Sequence, residues 1–352
     1  MHIERASEDI YIFTSDRYAQ VTASLIVSGN TGVLIDAMPY PEEAAQIALL
    51  AHRRCPDGVR YIIYTDHEAD HTYGAYLFPR AEIIAHTQCR QQLIEHGQKA
   101  LDHAKAISKE FEHVTLRIPG KTLEIIPTPG HTPDSLSVLL HEERLLFAGD
   151  TIMAVPTITR GNVDQLRESM NKVANMQLES IVQGHGEMIL RGEIKEMMRR
   201  GVNYLDTLQG KVQKLLETAA ERDAVRAITI ESCGLSRVLL NGVVVQLHLA
   251  NALAIYDRMK GSVPVIATSA THHPEPAPDP KSAKTERKPA KKAEIVIKAE
   301  AVTKIEKIEP SSKAEPVGKP VAKKIPSVES KLKAKPIPQA SAIKAPARKK
   351  GR

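Results

Sequence analysis

The chain has 352 residues and a formal net charge of +6, from 48 Lys and Arg against 42 Asp and Glu. That excess lies wholly in its last quarter: residues 274–352 hold 21 Lys and Arg and 9 Asp and Glu, which leaves 27 against 33 before them. The part able to form a core is therefore mildly acidic, which argues against a nucleic-acid-binding domain, and no apolar run approaches the ~20 residues of a membrane helix.

In chain order, residues 9–14, 23–27 and 33–35 are short apolar runs. The last two are joined by Ser28-Gly29-Asn30-Thr31-Gly32, a composition that suits a hairpin turn, so a β-meander is predicted. Pro41-Glu42-Glu43 opens a helix to about residue 54, with Pro in the first turn and acids at the positive end of the dipole. Pro56-Asp57-Gly58 then turns the chain into Tyr61-Ile62-Ile63-Tyr64, a strand rich in β-branched and aromatic residues. Residues 81–85 read as a strand, 87–108 as a polar helix, and 114–118 and 122–126 as two more strands. A hairpin over 136–140 and 145–147 follows, then a helix over 163–176 and a strand at 180–182.

Chemistry gathers where these strands end. Five of the six residues in Asp66-His67-Glu68-Ala69-Asp70-His71 can bind a metal, and they follow the strand ending at Tyr64. Gly130-His131-Thr132-Pro133-Asp134-Ser135, Ala148-Gly149-Asp150-Thr151 and Gln183-Gly184-His185-Gly186-Glu187 each deliver a further His or Asp just past a strand. A strand end is a rigid platform from which short side chains converge on an ion, and carboxylates mixed with imidazoles suit Zn²⁺, iron or manganese.

This order and spacing resemble the metallo-β-lactamase-fold hydrolases, whose first motif is H-x-H-x-D-H, followed by single His, Asp and His motifs. The resemblance covers about residues 7–190. It implies a four-layer αββα sandwich of mixed α and β structure, with two sheets face to face, helices outside and a two-metal site at one edge. It further implies that Asp66, Glu68 and His131 hold metal one, that Asp70, His71 and His185 hold metal two, and that Asp150 bridges them. His67 falls on the intervening position, which points away from the metals. The first motif, D-x-E-x-D-H, departs from the family pattern by putting carboxylates where its first two histidines stand. A Glu at the second of these is similar to the flavodiiron proteins, whose motif is H-x-E-x-D-H and whose metal is iron. Two imidazoles traded for two carboxylates make a harder shell, shifting preference from zinc toward iron or manganese.

Two divalent cations bridged by Asp150 and a hydroxide would supply a nucleophile at neutral pH and polarise a carbonyl or phosphoryl oxygen. The expected activity is hydrolysis of a small ester, thioester, lactam or phosphoester, with Asp70 as the catalytic carboxylate that takes up a proton. Alternatives are an iron-dependent oxygen or redox enzyme, and a binding module with a degenerate metal site. Asp36, Thr132, Asp134 and Ser135 are expected to orient the ligands, because a ligating imidazole donates its other N–H to an acceptor. Met153, Pro156 and Arg160 are candidate pocket walls.

Residues 1–262 are expected to form one domain, completed by helices over 193–222 and 243–259 around a turn at 232–235. His248 and Tyr256, eight apart, could reach a pocket from the last helix. The segment 263–352, rich in Lys, Ala and Pro, cannot bury enough apolar surface to fold. It is expected to be a disordered basic arm whose contact with nucleic acid or another anionic partner is weak and salt-sensitive. Cys55, Cys89 and Cys233 form no C-x-x-C pair and are expected to be reduced packing residues. With no basic-then-apolar leader in Met1-His2-Ile3-Glu4-Arg5, the expected location is the cytoplasm.

Overall fold

Successive side chains of a strand face opposite ways, and this alternation builds the layers. In a computed structural model that describes residues 1–95, 109–110 and 114–262, with the backbone of 296–298, two seven-stranded sheets stack face to face. The first runs β1 (His2–Ser7), β2 (Ile10–Thr14), β3 (Thr22–Ser28), β4 (Thr31–Ile35), β5 (Gly58–Ile63), β6 (Glu82–Ala85) and β7 (Lys109–Glu110), in that spatial order. The second includes β8 (Val114–Ile118), β9 (Lys121–Pro127), β10 (Leu136–Leu140), β11 (Leu145–Gly149), β12 (Ser180–Gln183), β13 (Ile189–Leu190) and β14 (Val296–Lys298). Its order is β13-β12-β11-β10-β9-β8-β14.

Ile10, Ile12, Val33, Ile35, Tyr61 and Ile63 point between the sheets and meet Val138, Leu145, Phe147 and Val182 of the second. Their neighbours Tyr11, Phe13, Leu34 and Ile62 point outward under α1 (Pro41–Arg54), which seats Ala44, Ile47 and Ala51 on them. On the opposite side Leu146, Ala148 and Ile181 are covered by α4 (Val163–Ala174), α5 (Arg191–Glu217) and α6 (Val244–Ser262). The helix-sheet-sheet-helix sandwich expected from the resemblance is the architecture observed.

Strand direction fixes where the loops gather. β4, β5 and β6 pair in parallel, and so do β11 and β12. β10 is antiparallel to both β9 and β11, so β9, β11 and β12 end at one edge. The Val21–His185 bridge, and the Thr22 N–H to the Gly184 carbonyl at 2.8 Å, tie the first sheet to the second at that edge.

The strands β2 to β6 and β8 to β12 fall on the predicted runs, and the first helix spans Pro41–Arg54 as expected. β1 is an addition to them, since its polar, mostly exposed sequence HIERAS has no apolar alternation. Past β5 the chain does not stay a loop: Asp70 and His71 lie in α2 (Ala69–Thr72), followed by a 3₁₀ turn, Tyr73–Leu77. Of the helix predicted over 87–108, Cys89–Glu95 forms α3 and the rest lies outside the described residues. The reading of 263–352 as a disordered arm also lies outside them, apart from β14, which pairs in parallel with β8. The three cysteines are buried and unbridged. Among the described residues no helix is long and apolar enough to cross a membrane.

Candidate metal centre

Each histidine of the cluster is aimed by a bond on its far nitrogen. His185 Nδ1–H donates to the Ala19 carbonyl at 2.9 Å, and because a carbonyl only accepts, Nδ1 carries a proton and Nε2 is the nitrogen turned to the cluster. His131 Nδ1 lies 2.7 Å from Thr157 Oγ1 and 3.1 Å from the Thr157 carbonyl. His71 Nδ1 donates to Asp36 Oδ2 at 2.9 Å. Asp36 is itself locked, accepting from Thr65 N–H at 2.8 Å and Thr65 Oγ1 at 2.7 Å. Its φ of +57° turns the end of β4 so that the carboxylate faces β5, a conformation that costs most side chains energy but that Asp tolerates.

The three Nε2 atoms converge on carboxylates. His131 Nε2 stands 3.4 Å from both Glu68 Oε2 and Asp150 Oδ2, and His71 Nε2 is 3.4 Å from Asp150 Oδ1. His185 Nε2 lies 3.3 Å from Asp70 Oδ2 and 3.5 Å from Asp150 Oδ2. These separations exceed the ~2.8 Å of a charge-assisted hydrogen bond. They match the edge of a tetrahedron around an ion with bonds of roughly 2.05 Å, about 3.3 Å. Asp150 touches all three imidazoles, whereas Asp66 Oδ2 lies 3.9 Å from His131 Nε2 and 4.0 Å from His71 Nε2. The other Asp66 oxygen accepts the Glu68 N–H at 2.8 Å.

Asp66 Oδ2, His71 Nε2, His131 Nε2 and Asp150 Oδ1 are buried with no hydrogen-bond partner. Buried polar atoms are ordinarily satisfied, and leaving four together costs several kcal/mol unless another group meets them, at about 1–3 kcal/mol each. Three sets, Asp70-His71-His185, Asp66-His71-Asp150 and Glu68-His131-Asp150, each converge closely enough to hold a metal ion. The residues therefore fit the metals that the resemblance implies.

Without cations the charges fall on the histidines. Burial pulls the His131 pKa down, but Asp150, then Glu68 and Asp66, outweigh it and hold the imidazole at about 10. Burial is likewise outweighed at His185, by Asp150 and Asp70, and its pKa also stands at about 10. Burial pushes Asp66 up to about 7 against the pull of His71 and His131. Asp150 is also opposed by burial, yet His185, His71 and His131 hold it well below the carboxylate range.

Two glycines make room. A Cβ on Gly184 would stand 1.9 Å from Asp150 Oδ1, so the carboxylate rests directly on that backbone. Gly149, with φ +51°, lets the chain bend at the end of β11, where a Cβ would meet Thr65 at 2.5 Å.

The structure thus brings together all seven residues expected as ligands, and places Asp36 behind one of them. The other three orienting candidates serve the loop instead. Asp134 Oδ1 bonds to His67 Nδ1 at 2.7 Å, not to a ligand imidazole, and both side chains are buried. Thr132 and Ser135 bond to each other at 2.8 Å, shaping the turn that carries His131. Of the expected pocket walls, Arg160 reaches Glu68 Oε1 at 3.5 Å, while Met153 is buried and takes a bond from Thr157. His248 does not reach the cluster. It bridges Tyr204 Oη at 3.0 Å and the Ile228 carbonyl at 2.8 Å, and Tyr256 Oη donates to the Ala220 carbonyl, so both pin the helical layer.

Residues 17–185 match the metallo-beta-lactamase superfamily. The chain is similar to this superfamily over that span, which is just under half its length. It is 26% identical over 199 residues to lactamase-like protein aptB of Emericella nidulans, covering 55% of this chain and 59% of that protein. It is 27% identical over 172 residues to thioesterase pkgB of the same organism, covering 47% and 46%. The chain thus spans about half the length of these curated relatives. A metallo-beta-lactamase family protein from Thermus thermophilus shares the fold at a TM-score of 0.56 and 16% identity, over 73% of this chain and 96% of that one.

Proposed function

We propose that this chain is a metal-dependent hydrolase holding two divalent cations and cleaving a small ester, thioester, lactam or phosphoester. The observation that carries this reading is the set of buried, otherwise unpartnered ligand atoms on His71, His131, Asp66 and Asp150. Asp66, Glu68 and His131 would hold one cation, Asp70, His71 and His185 the other, with Asp150 between them. Such a pair supplies a nucleophilic water at neutral pH and polarises the oxygen under attack. Four carboxylates balance the four positive charges, so the imidazoles can stay neutral. Asp70, whose Oδ2 faces His185, would accept the proton released by the attacking water. Arg160, half exposed beside Glu68, offers a positive charge to an anionic substrate group. The name of the thioesterase relative makes an acyl thioester the first substrate class to try.

The carboxylates of Asp66 and Glu68 support a second reading, an iron-dependent oxygen or redox enzyme, because an oxygen-rich shell favours iron or manganese over zinc. Elemental analysis of full-length protein purified without chelator or added metal separates the two, combined with turnover of p-nitrophenyl acetate, S-phenyl thioacetate, nitrocefin and bis-p-nitrophenyl phosphate. Hydrolysis predicts two metals per chain and turnover that chelation abolishes. Iron with oxygen consumption favours the second reading, and at most one inert ion refutes both.

A further inference from the structure

The loop between β2 and β3 is built with unusual care for a surface segment. Ser15 Oγ donates to the buried Glu43 Oε2 at 2.7 Å and accepts the N–H groups of Arg17 and Tyr18 at 3.1 and 3.0 Å. Ala19 and Gln20 follow with φ of +43° and +54°. Two consecutive non-glycine residues in this left-handed region are strained and persist only where the surroundings hold them. The strain puts the Ala19 carbonyl on His185 and the Gln20 carbonyl on the Gly186 N–H at 2.9 Å. It also fixes Tyr18. Its ring centroid lies 6.4 Å from the His185 ring and 6.4 Å from Tyr40, edge to face, and Arg17 stands 4.4 Å over Tyr40.

Tyr18 is nonetheless 45% exposed, and among the described residues its hydroxyl has no hydrogen-bond partner. The phenol pKa is raised by Asp70 first, then by burial, Glu68 and Asp150. What places Tyr18 is its ring, which packs beside the His185 imidazole and leaves the side chain half exposed next to the ligand set. A half-exposed, unpartnered O–H on a ring held against a ligand imidazole is available to a molecule that enters the centre.

We infer that Tyr18 is a substrate-contacting residue whose hydroxyl donates a hydrogen bond to the substrate oxygen that gains negative charge in the reaction. The proton stays on the phenol, and the bond shortens as charge develops on its acceptor. This rests on the hydrolase reading, and its test includes a measurement that needs no turnover. Tyr18→Phe keeps the ring against His185 and Tyr40 and leaves the Ala19 carbonyl in place. In metal-loaded full-length protein, metal content should be unchanged and KM for S-phenyl thioacetate should stay within about twofold. The kcat should fall about 10- to 100-fold, less than for a fully buried donor because solvent reaches the phenol. Inorganic phosphate, measured by calorimetry on the same samples, should bind about tenfold more weakly to Tyr18→Phe, since phosphate offers the same hydroxyl an anionic oxygen. Equal phosphate affinity in the two proteins overturns the assignment whatever the turnover, and loss of metal from Tyr18→Phe overturns it in favour of a structural role. A wild type that hydrolyses none of the probes but loses phosphate affinity on Tyr18→Phe sinks the hydrolase reading and leaves the donor standing.

Discussion

Asp36→Asn tests the centre through a residue that touches no substrate. Asp36 Oδ1 accepts Thr65 N–H, and Oδ2 accepts both Thr65 Oγ1–H and His71 Nδ1–H. Asn tolerates the positive φ of this position as Asp does, so the backbone should hold. One of its two amide positions must now be NH₂. If NH₂ faces His71, two donors meet, and the relief is a tautomer shift that moves the imidazole proton to Nε2 and removes a ligand lone pair. If the amide is turned round, the NH₂ faces Thr65 N–H and leaves a buried donor unsatisfied. Replacing such an orienting partner typically costs 10–100-fold in metal affinity. At 1.4 kcal/mol per tenfold this is about 1.4–2.8 kcal/mol, and metal-free stability should fall by about 1–3 kcal/mol for the lost bond. Competition against a chelator of known affinity reads the first quantity and denaturant unfolding the second. Metal affinity unchanged within twofold in a folded Asp36→Asn protein would refute the claim that Asp36 aims His71.

His67→Ala should leave metal stoichiometry unchanged but cost about 3 kcal/mol in denaturant unfolding, because it strands the buried Asp134 carboxylate; equal metal loss from His67→Ala and His185→Ala would contradict this. Gly184→Ala should push Asp150 aside and lower metal content at both halves together, and full metal occupancy in the variant would count against Asp150 as their common ligand. Metal-free protein should lose stability as pH rises. His131 and His185 stand at about 10 folded against 6.5 for the ordinary imidazole, so their contribution is complete below about pH 6.5 and disappears as pH climbs through 10. Unfolding midpoints of chelated protein that stay flat between pH 7 and 10, or a metal-loaded sample with the same slope, would show that these carboxylates do not act on the histidines as described.

Much of the fold and site is legible in the sequence because the signals are local. Apolar runs such as Tyr61-Ile62-Ile63-Tyr64 mark the strands, and residues placed immediately after them, from Asp66 to His71 and at His131, Asp150 and His185, mark the loops at one edge. What escapes has no side-chain signature. The Ala19 carbonyl that aims His185 could belong to any residue, and its direction depends on two positive φ angles. Thr157, seven residues past Asp150, aims His131 through a hydroxyl that looks like any loop threonine. Tyr18 gives no signal of its own because its part depends on the fold of the loop around it. Asp134 misleads for a related reason: a carboxylate three residues from His131 suggests a partner for that ring, whereas the turn faces it toward His67.

Neither sheet owns a complete binding set. Glu68, Asp70 and His71 come from the segment after β5 that leads into α2, while His131, Asp150 and His185 follow β9, β11 and β12, and both the Asp70-His71-His185 and the Glu68-His131-Asp150 set draw on the two sheets. A cation there would act as a clasp across the sandwich, so metal binding and the docking of the two sheets become one equilibrium. During folding, the β2–β3 and β8–β9 hairpins can form from nearby residues, but the clasp must wait for contacts such as Thr22 to Gly184, 162 positions apart along the chain. A nascent chain would therefore gain no metal until its second sheet is complete, and a mature one could not let either sheet swing away without surrendering any ion held between them.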